Sequence, residues 1–175
     1  MIIVDDFLPP SFHNDLLSLV TQNTFPWYYN DFVTYEREVT GAYFFSHAAL
    51  LVDPKSNTHY MSDKFEAIRP MLYFMEDRTN FRLTSVMCAR FNMFTNMGRL
   101  IKGAWHTDQQ IDHQVALYYV NSTNGPTDFI DGSSVECVAN RLVMFDGKAL
   151  KHRSTHSTDT KYRANINFNM QGYFI

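Results

Sequence analysis

The sequence predicts a mainly β domain with helices near its N-terminus (α+β), of the sandwich or barrel-like jelly-roll type. Aromatic residues make up 15% of the chain, including 15 Phe and 10 Tyr, and such side chains suit pleated, half-buried surfaces. From Phe81 onward, short runs rich in Val, Phe, Tyr, Ile and Thr alternate with turn signals. The 175 residues contain no repeat and no linker, so we expect one domain over residues 1–175.

Residues 1–80 form the predicted helical support region. A short strand is expected at Ile2 to Val4, and the apolar residues from Phe12 to Val20 are spaced as on an amphipathic helix entered through proline. A second helix is predicted over Ser62 to Glu76, and Pro70 inside it predicts a kink or a late start. Both helices are expected to brace one sheet.

Residues 81–175 form the predicted jelly-roll core. Turn signals recur along this region, at Asn96-Met97-Gly98, Asn124-Gly125-Pro126, Asp131-Gly132 and Asp146-Gly147. The runs between them predict strands at 82–95, 101–108, 114–121, 126–130, 134–138, 141–146 and 162–173. Many short strands at such spacing indicate a β-sandwich or a barrel-like jelly roll.

The composition argues against several classes of partner. A net charge of -3 without a block of Lys and Arg disfavours duplex nucleic acid and anionic membranes. No apolar stretch approaches the ~18 residues of a membrane span, and the first residues lack the basic region of a signal peptide. Cys88 and Cys137 are expected to be reduced, buried thiols. We therefore expect a cytoplasmic protein.

The triplet His106-Thr107-Asp108 is the first candidate for chemistry. On a strand the side-chain period is two, so His106 and Asp108 point to one face. An imidazole beside a carboxylate provides two ligands of the 2-His-1-carboxylate triad, which leaves positions on Fe(II) open. A similar triplet at 13–15 lies in the first predicted helix, where residues two apart diverge. We expect that second triplet to be solvated helix surface.

A third ligand and an anion-binding residue are predicted further along the chain. His152 follows the turn at Asp146-Gly147, and Arg163 opens the alternating strand after it. A guanidinium inside a barrel needs an anion, because an unpaired buried charge is costly, and its planar fork matches a carboxylate. That anion is either a carboxylate of a bound cosubstrate such as 2-oxoglutarate or a structural Asp or Glu of the chain.

Several motifs follow one another in a fixed order between about residues 82 and 174. They are Trp105-His106-Thr107-Asp108, Ala116-Leu117-Tyr118-Tyr119-Val120-Asn121, Gly125-Pro126-Thr127-Asp128-Phe129, Asn140-Arg141-Leu142-Val143-Met144-Phe145-Asp146, and His152 through Thr158-Asp159 to Arg163. This set resembles the 2-oxoglutarate/iron(II) oxygenase superfamily, and it is closest to the prolyl-4-hydroxylase-like branch of small bacterial and viral type. The opening run from Val4 to Pro9 also fits. The resemblance implies a double-stranded β-helix (jelly roll) with the site between its sheets.

The resemblance also implies an activity and roles for particular residues. His106, Asp108 and His152 would be the iron ligands, and Arg163 would anchor 2-oxoglutarate. The implied enzyme is a dioxygenase that hydroxylates an unactivated C–H bond, with a prolyl residue as the first substrate to consider. Its implied cofactors are Fe(II) and 2-oxoglutarate, with ascorbate as a reductant.

Other positions carry weaker expectations from the same resemblance. Tyr119 matches a position whose hydroxyl helps to hold the distal carboxylate, and Asn92 matches one that contacts the cosubstrate. Phe94 stands where relatives carry a tyrosine, so that polar contact is absent or replaced. Asn165 and Asn167 share a face with Arg163. They either orient a ligand or form structural hydrogen bonds.

The remaining histidines are expected to play no part in metal binding. His156 is interpreted as a loop residue, because its step to Arg163 is short for the third ligand. His47, His59 and His113 are expected to be solvated. The segment 27–40 is either a substrate lid or a plain surface loop.

Two other classes of function are compatible with these residues. One is a jelly-roll metal-dependent lyase or isomerase that needs no 2-oxoglutarate, with Arg163 holding a carboxylate of its substrate. The other is a non-catalytic binding module. The substrate is a peptide or a small molecule, and the sequence does not indicate an oligomeric state.

Overall fold

The computed structural model describes residues 1–31, 41–53, 56 and 58–175. Three helices lie in the first half of this described chain: α1 at Pro10–Thr21, α2 at Phe65–Ile68 and α3 at Met71–Thr79. The strands of the described residues are β1 Ile2–Val4, β2 Tyr28–Asn30, β3 Phe44–Asp53, β4 Thr58–Met61, β5 Phe81–Thr95, β6 Gln114–Tyr119, β7 Thr123–Phe129, β8 Ser134–Cys137, β9 Arg141–Asp146, β10 His152–Ser154 and β11 Tyr162–Phe174.

Two antiparallel sheets form the body of the domain. The large sheet has the order β1-β9-β6-β11-β5-β3-β2, with β4 pairing to β3. The small sheet has the order β10-β7-β8. The two longest strands, β5 and β11, lie side by side in the large sheet and pair from Tyr162↔Thr95 to Phe174↔Phe81. The jelly-roll expectation is confirmed, and the site-bearing side chains of β5 and β11 share a face.

The large sheet buries both of its faces, and the period of two along each strand separates them. On one face Tyr118, Ile166 and Phe168 pack with residues of the helices, including Leu16 and Met71. This arrangement confirms that the helices brace one sheet. On the other face a second core joins the large sheet to the small one, formed by Val115, Leu117, Tyr119, Phe129, Val135, Cys137, Val143 and Phe145.

Proline sets the helix boundaries in the first half. Pro10 occupies the first turn of α1, where a missing N–H costs no intrahelical hydrogen bond. The helix predicted over Ser62 to Glu76 is divided at Pro70 into α2 and α3, as the kink expectation stated. No helix among the described residues is long and apolar enough to cross a bilayer.

The secondary structure differs from the expectation in two places. Besides the predicted helices and the strand at Ile2 to Val4, the first half contains β2, β3 and β4, which extend the large sheet. The strand expected at 101–108 is absent. This segment forms two isolated β-bridges instead, Lys102↔Thr155 and His106↔His152. Part of the segment 27–40 lies outside the described residues, because positions 32–40 are not among them.

Candidate metal centre and anion pocket

A cavity of about 750 Å³ opens between the two sheets. Its floor is the face shared by β5 and β11. Eight side chains of alternating positions on these two strands line it: Cys88, Arg90, Asn92, Phe94, Arg163, Asn165, Asn167 and Asn169. The small sheet and the segment before β6 supply the opposite wall, which includes Trp105, His106, Asp108, Thr127 and His152. The cavity is therefore lined mainly by polar side chains.

The three candidate metal ligands lie together in this cavity. One ligand atom from each of His106, Asp108 and His152 lies within 4.8 Å of the others. The Nε2 atoms of the two imidazoles are 3.5 and 3.6 Å from the same Asp108 Oδ1. The backbones of the two histidines exchange hydrogen bonds of 3.0 Å in both directions. These two hydrogen bonds form an isolated β-bridge, which holds the backbones of His106 and His152 side by side.

Neighbouring groups orient the ligands. The amide of Asn167 donates to Asp108 Oδ2 at 2.7 Å, which leaves Oδ1 directed at the imidazoles. His106 Nδ1 lies 3.1 Å from the carbonyl oxygen of Ala104. Because a carbonyl only accepts, Nδ1 carries a proton in this contact, and Nε2 is the nitrogen of the ring that faces Asp108 and could bind a metal. These two contacts leave Asp108 Oδ1 and His106 Nε2 available as metal ligands on the same side of the cavity.

The protonation states also suit a metal. Burial lowers the pKa of His152 to about 4, so its imidazole is neutral at physiological pH. Burial alone would raise the pKa of the Asp108 carboxyl, but the hydrogen bond from His106 and the nearby imidazoles outweigh it, and the pKa lies well below its usual range. The Asp108 carboxylate and the neutral His152 imidazole are therefore in the forms that coordinate a metal.

The chemistry of this donor set is specific. Two imidazoles and one carboxylate on one side of a point, with the rest of the coordination sphere open, form the arrangement typical of non-haem Fe(II) oxygenases. No other group of three His, Cys, Asp or Glu residues within the described chain brings its ligand atoms together in this way. The residues present therefore fit an Fe(II) ion with open positions for ligands.

Arg163 is the second unusual group of the cavity. Its side chain is fully buried, with Nε donating to Gly125 O at 2.8 Å and Nη2 donating to Thr127 Oγ1 at 2.9 Å. Its Nη1 is buried and has no hydrogen-bond partner among the described residues. Among the described carboxylates, none forms an ion pair with it. A buried guanidinium with an unused donor fits an anion brought by a ligand, and 2-oxoglutarate carries one.

Tyr119 and Asn92, which the resemblance suggests as further contacts of the cosubstrate, lie in the same region as Arg163. Tyr119 is fully buried and donates to Thr127 Oγ1 at 2.8 Å, so it reaches the cavity wall through Thr127. Asn92 Nδ2 donates to Asn165 Oδ1 at 3.0 Å, and both asparagines line the cavity. Direct contact of Tyr119 and Asn92 with a cosubstrate stays a prediction. Phe94 faces the guanidinium, 5.4 Å from the ring centre.

His156 does not join the metal ligands. It is fully buried, its Nδ1 lies 3.0 Å from the carbonyl oxygen of Thr95, and burial lowers its pKa. It lies between β10 and β11, outside any strand. This position agrees with its interpretation as a loop residue.

Two other histidines are not solvated as expected. His47 is 3% exposed, with Nδ1 at 3.0 Å from Pro26 O and Nε2 at 2.7 Å from Ser62 Oγ. His113 is 4% exposed and places Nδ1 2.8 Å from Ile111 O. In both rings Nδ1 contacts a carbonyl oxygen, which comes from a distant segment for His47 and from the preceding turn for His113. His59 is exposed, as expected.

Arg90 and Thr127 line the cavity but were not predicted from the sequence. Arg90 lies two residues before Asn92 on a strand, so the period of two alone places both on one face. Thr127 occurs in a motif of the resemblance but has no charge or metal-binding group to mark it. Its role becomes visible only through its hydrogen bond with Arg163.

No protein-family model and no curated protein sequence matches the chain. Solved structures match it at low sequence identity. A prolyl hydroxylase from Trichoplax adhaerens, in complex with a peptide fragment of the hypoxia inducible factor oxygen degradation domain, has a TM-score of 0.68 and 14% identity, and the match covers 97% of this chain and 82% of that chain.

Two further structures are similar. A 2OG-Fe(II) oxygenase family oxidoreductase from Burkholderia pseudomallei has a TM-score of 0.68 and 8% identity, with 97% of this chain and 84% of that chain covered. The viral collagen prolyl hydroxylase of Paramecium Bursaria Chlorella virus-1, in complex with 2OG, has a TM-score of 0.61 and 10% identity, with 98% and 95% covered. These likenesses show that the chain has the jelly-roll fold of such oxygenases.

Proposed function

We propose that this chain is a 2-oxoglutarate- and Fe(II)-dependent dioxygenase that hydroxylates an unactivated C–H bond. One observation carries the proposal: a 2-His-1-carboxylate set and a buried arginine with an unused donor line the same cavity. The first supplies an open iron site, and the second supplies a partner for a carboxylate. The shared fold with the oxygenases above supports the same conclusion.

Each part of the site has a distinct task in this proposal. His106, Asp108 and His152 hold the metal, and Arg163 binds the distal carboxylate of 2-oxoglutarate. Bound Fe(II) and 2-oxoglutarate supply the oxidising chemistry, in which the cosubstrate and dioxygen become succinate, carbon dioxide and one transferred oxygen atom. The protein positions the reactants and limits access of water. Asn167 keeps the Asp108 carboxylate oriented.

The finer proposal is that the substrate is a prolyl residue in a flexible peptide. Its support is that solved structures of this fold include prolyl hydroxylases, one of them in complex with a peptide. We also propose that ascorbate maintains the iron in the ferrous state. A cytoplasmic location completes the proposal, and the free, buried thiols of Cys88 and Cys137 support a reducing compartment.

The class of reaction is tested by turnover of the cosubstrate. The purified protein is incubated with Fe(II), ascorbate and 2-oxoglutarate in air, and succinate is measured. We expect slow succinate formation that requires both iron and 2-oxoglutarate and is lost in His106→Ala. His59→Ala removes an exposed histidine and should retain the activity. Metal binding without any binding or turnover of 2-oxoglutarate would instead favour the lyase or isomerase.

The prolyl substrate needs a separate experiment. A proline-rich peptide library is added to the same mixture, and the products are examined by mass spectrometry. We expect peptide-stimulated succinate release together with a one-oxygen mass increase on proline. Stimulation by other compounds but by no peptide would reject the prolyl substrate while leaving the oxygenase class in place.

A further inference from the structure

A second arginine lines the cavity, and the proposed function gives it no task. Arg90 lies on β5, opposite Asn167 of β11 and Ala48 of β3. Residues paired across neighbouring strands point to the same face of the sheet, so Arg90 lies beside the asparagine that holds Asp108. It is therefore next to the candidate metal centre. Arg163 pairs with Phe94, roughly 13 Å further along the strands by the rise per residue.

Arg90 has a buried polar atom that the described residues do not satisfy. The residue is half-buried, and its Nε is buried without a hydrogen-bond partner in the described part of the chain. No carboxylate among the described residues forms an ion pair with it. Leaving a buried guanidinium N–H without a partner costs free energy. A stable protein keeps such a group most easily when a ligand supplies the acceptor.

The charges of the cavity indicate the kind of acceptor. Its charged lining residues within the described chain are Arg90, Asp108, Lys151 and Arg163, and Lys151 lies at the exposed rim. In the proposed function, the metal and Asp108 together carry one net positive charge. Arg163 adds a second, and the two carboxylates of 2-oxoglutarate balance both. Arg90 then remains as a positive charge beside the metal, with no anionic group of the cosubstrate left for it.

We propose that Arg90 binds a carboxylate of the primary substrate and so holds that substrate beside the metal. The inference rests on the proposed function, because it assumes that 2-oxoglutarate occupies Arg163. The planar guanidinium makes two parallel contacts with a carboxylate, and a single negative charge balances the single charge of Arg90. The carboxylate belongs either to a free amino acid or to an acidic residue of a peptide.

The test compares acids with their amides. The protein is loaded with Mn(II) and 2-oxoglutarate without oxygen, and calorimetry measures binding of matched probes. One arm uses the free L-amino acids, including L-proline, each against its carboxamide. The other arm uses capped Ala-Pro-Glu-Ala and Ala-Pro-Gln-Ala peptides. The variants are Arg90→Met and Arg90→Lys, with Arg82→Met as a control that removes an exposed arginine from the same strand.

We expect at least one acid to bind the wild type at least ~30-fold more tightly than its amide, since a charge-assisted contact of about 2 kcal/mol or more is lost. Arg90→Met should abolish that preference, Arg90→Lys should keep part of it, and Arg82→Met should keep all of it. The arm that shows the preference identifies the source of the carboxylate. Binding of 2-oxoglutarate should be unchanged in every variant.

Two results would overturn the inference, and they differ from failure of the proposed function. If no acid in either arm binds more tightly than its amide, Arg90 does not recognise a carboxylate. If Arg90→Met loses 2-oxoglutarate while Arg163→Met keeps it, Arg90 belongs to the cosubstrate site instead. If the wild type binds no 2-oxoglutarate at all, the proposed function itself is wrong and the inference falls with it.

Discussion

Three residues of this cavity have charge states or hydrogen-bonding groups that suit the binding of a ligand. Asp108 is held as an anion and His152 as a neutral imidazole, while Arg163 keeps a buried donor without a partner. The buried donor of Arg163 costs free energy in the ligand-free protein, because it is removed from water without a partner among the described residues. An anionic cosubstrate would recover that cost, and a metal would bind Asp108 and His152 in the protonation states that they already have. Their binding should therefore be coupled to stability.

The first prediction concerns which histidine is the third metal ligand. Replacing His106, Asp108 or His152 by Ala should lower Fe(II) affinity by at least ~100-fold and abolish turnover, because each removes one of three donor atoms. His156→Ala should retain stoichiometric iron, since His156 Nδ1 contacts Thr95 O and lies outside the cluster. Anaerobic titration with Fe(II) measures the iron affinity of each variant, and succinate formation measures turnover. Iron binding by His152→Ala but not by His156→Ala would reverse the assignment.

The second prediction concerns Arg163 as the anchor of the cosubstrate. Arg163→Met should raise the KM for 2-oxoglutarate at least ~30-fold, because a charge-assisted contact in a buried site is lost. Iron affinity should stay within a few-fold of the wild type, since Arg163 contacts Gly125 and Thr127 and no metal ligand. Arg99→Met, which removes an exposed arginine, serves as the control. An unchanged KM would assign Arg163 a purely structural role.

The sequence predicts that His106, Asp108, His152 and Arg163 lie in one site, and the structure places them in one cavity. The sequence does not predict the burial of other histidines. His106 and Asp108 are near neighbours, so their proximity is a local property of the chain. His152 and Arg163 follow from the order of the motifs. His47, by contrast, is buried because Pro26 and Ser62 supply partners from other parts of the fold. A single sequence carries no local signal for such contacts.

At the scale of elements, most strands of the second half follow alternation and turn residues, although the short β10 was not predicted. The strands β2, β3 and β4 of the first half were missed. The sequence of β3, Phe44–Asp53, lacks strict alternation, and a register shift between Ala48 and Leu50 changes which side chains face inward. A strand buried on both faces in this way has no clear period of two. Its partner β5 determines its structure as much as its own sequence does.

The segment 101–106 is the other element that the sequence misjudged. Backbone hydrogen bonds join it to residues 152–156, and side-chain contacts add to them. Asp128 of β7 accepts from Lys102 Nζ at 2.9 Å and from Arg153 Nε at 3.3 Å. The Arg153 guanidinium lies 4.1 Å from the centre of the Trp105 ring. These contacts tie the segment to the small sheet immediately before His106. The position of the candidate metal ligand His106 therefore depends on Asp128 indirectly.

The third prediction tests that dependence. Asp128→Asn removes the charge shared by Lys102 and Arg153, and it should lower the free energy of unfolding by about 1–3 kcal/mol, because Asp128 is buried and its partners lose a charged acceptor. Asp112→Asn, which breaks the exposed ion pair with Lys148, should cost less than about 1 kcal/mol. Denaturant unfolding measures both. Equal effects of the two variants would argue against a special role for Asp128.

At the scale of the whole molecule, the two faces of the large sheet differ in what they pack against. One face packs with the helices and forms the larger core, and the other carries the cavity and the smaller core. A polar cavity of about 750 Å³ stabilises the fold little, so the helical side must supply most of the buried apolar contact. Attachment of the N-terminal segment to the sheet should thus control global stability.

Asn140 adds to this attachment, beside the pairing of β1 with β9. Its buried amide accepts from Leu8 N and donates to Leu8 O, both at 2.9 Å, and Tyr118 Oη donates to its Oδ1 at 3.1 Å. Its backbone carbonyl accepts from Phe7 N at 2.8 Å. Its φ of 61° lies in the left-handed region, which Asn tolerates better than most residues. Backbone conformation and side chain both favour asparagine here.

The fourth prediction separates these two contributions. Asn140→Ala should lower the free energy of unfolding by about 2–4 kcal/mol, because the Leu8 N–H and C=O lose their buried partners and alanine is strained at this φ. Asn80→Ala is the matched control: Asn80 also has a left-handed φ, of 55°, but its side chain is exposed, so its loss should be about 1–2 kcal/mol. Thermal and denaturant unfolding measure both variants. If they lose the same stability, strain at the left-handed position accounts for the whole effect, and the amide bridge to Leu8 does not hold the N-terminal segment on the sheet.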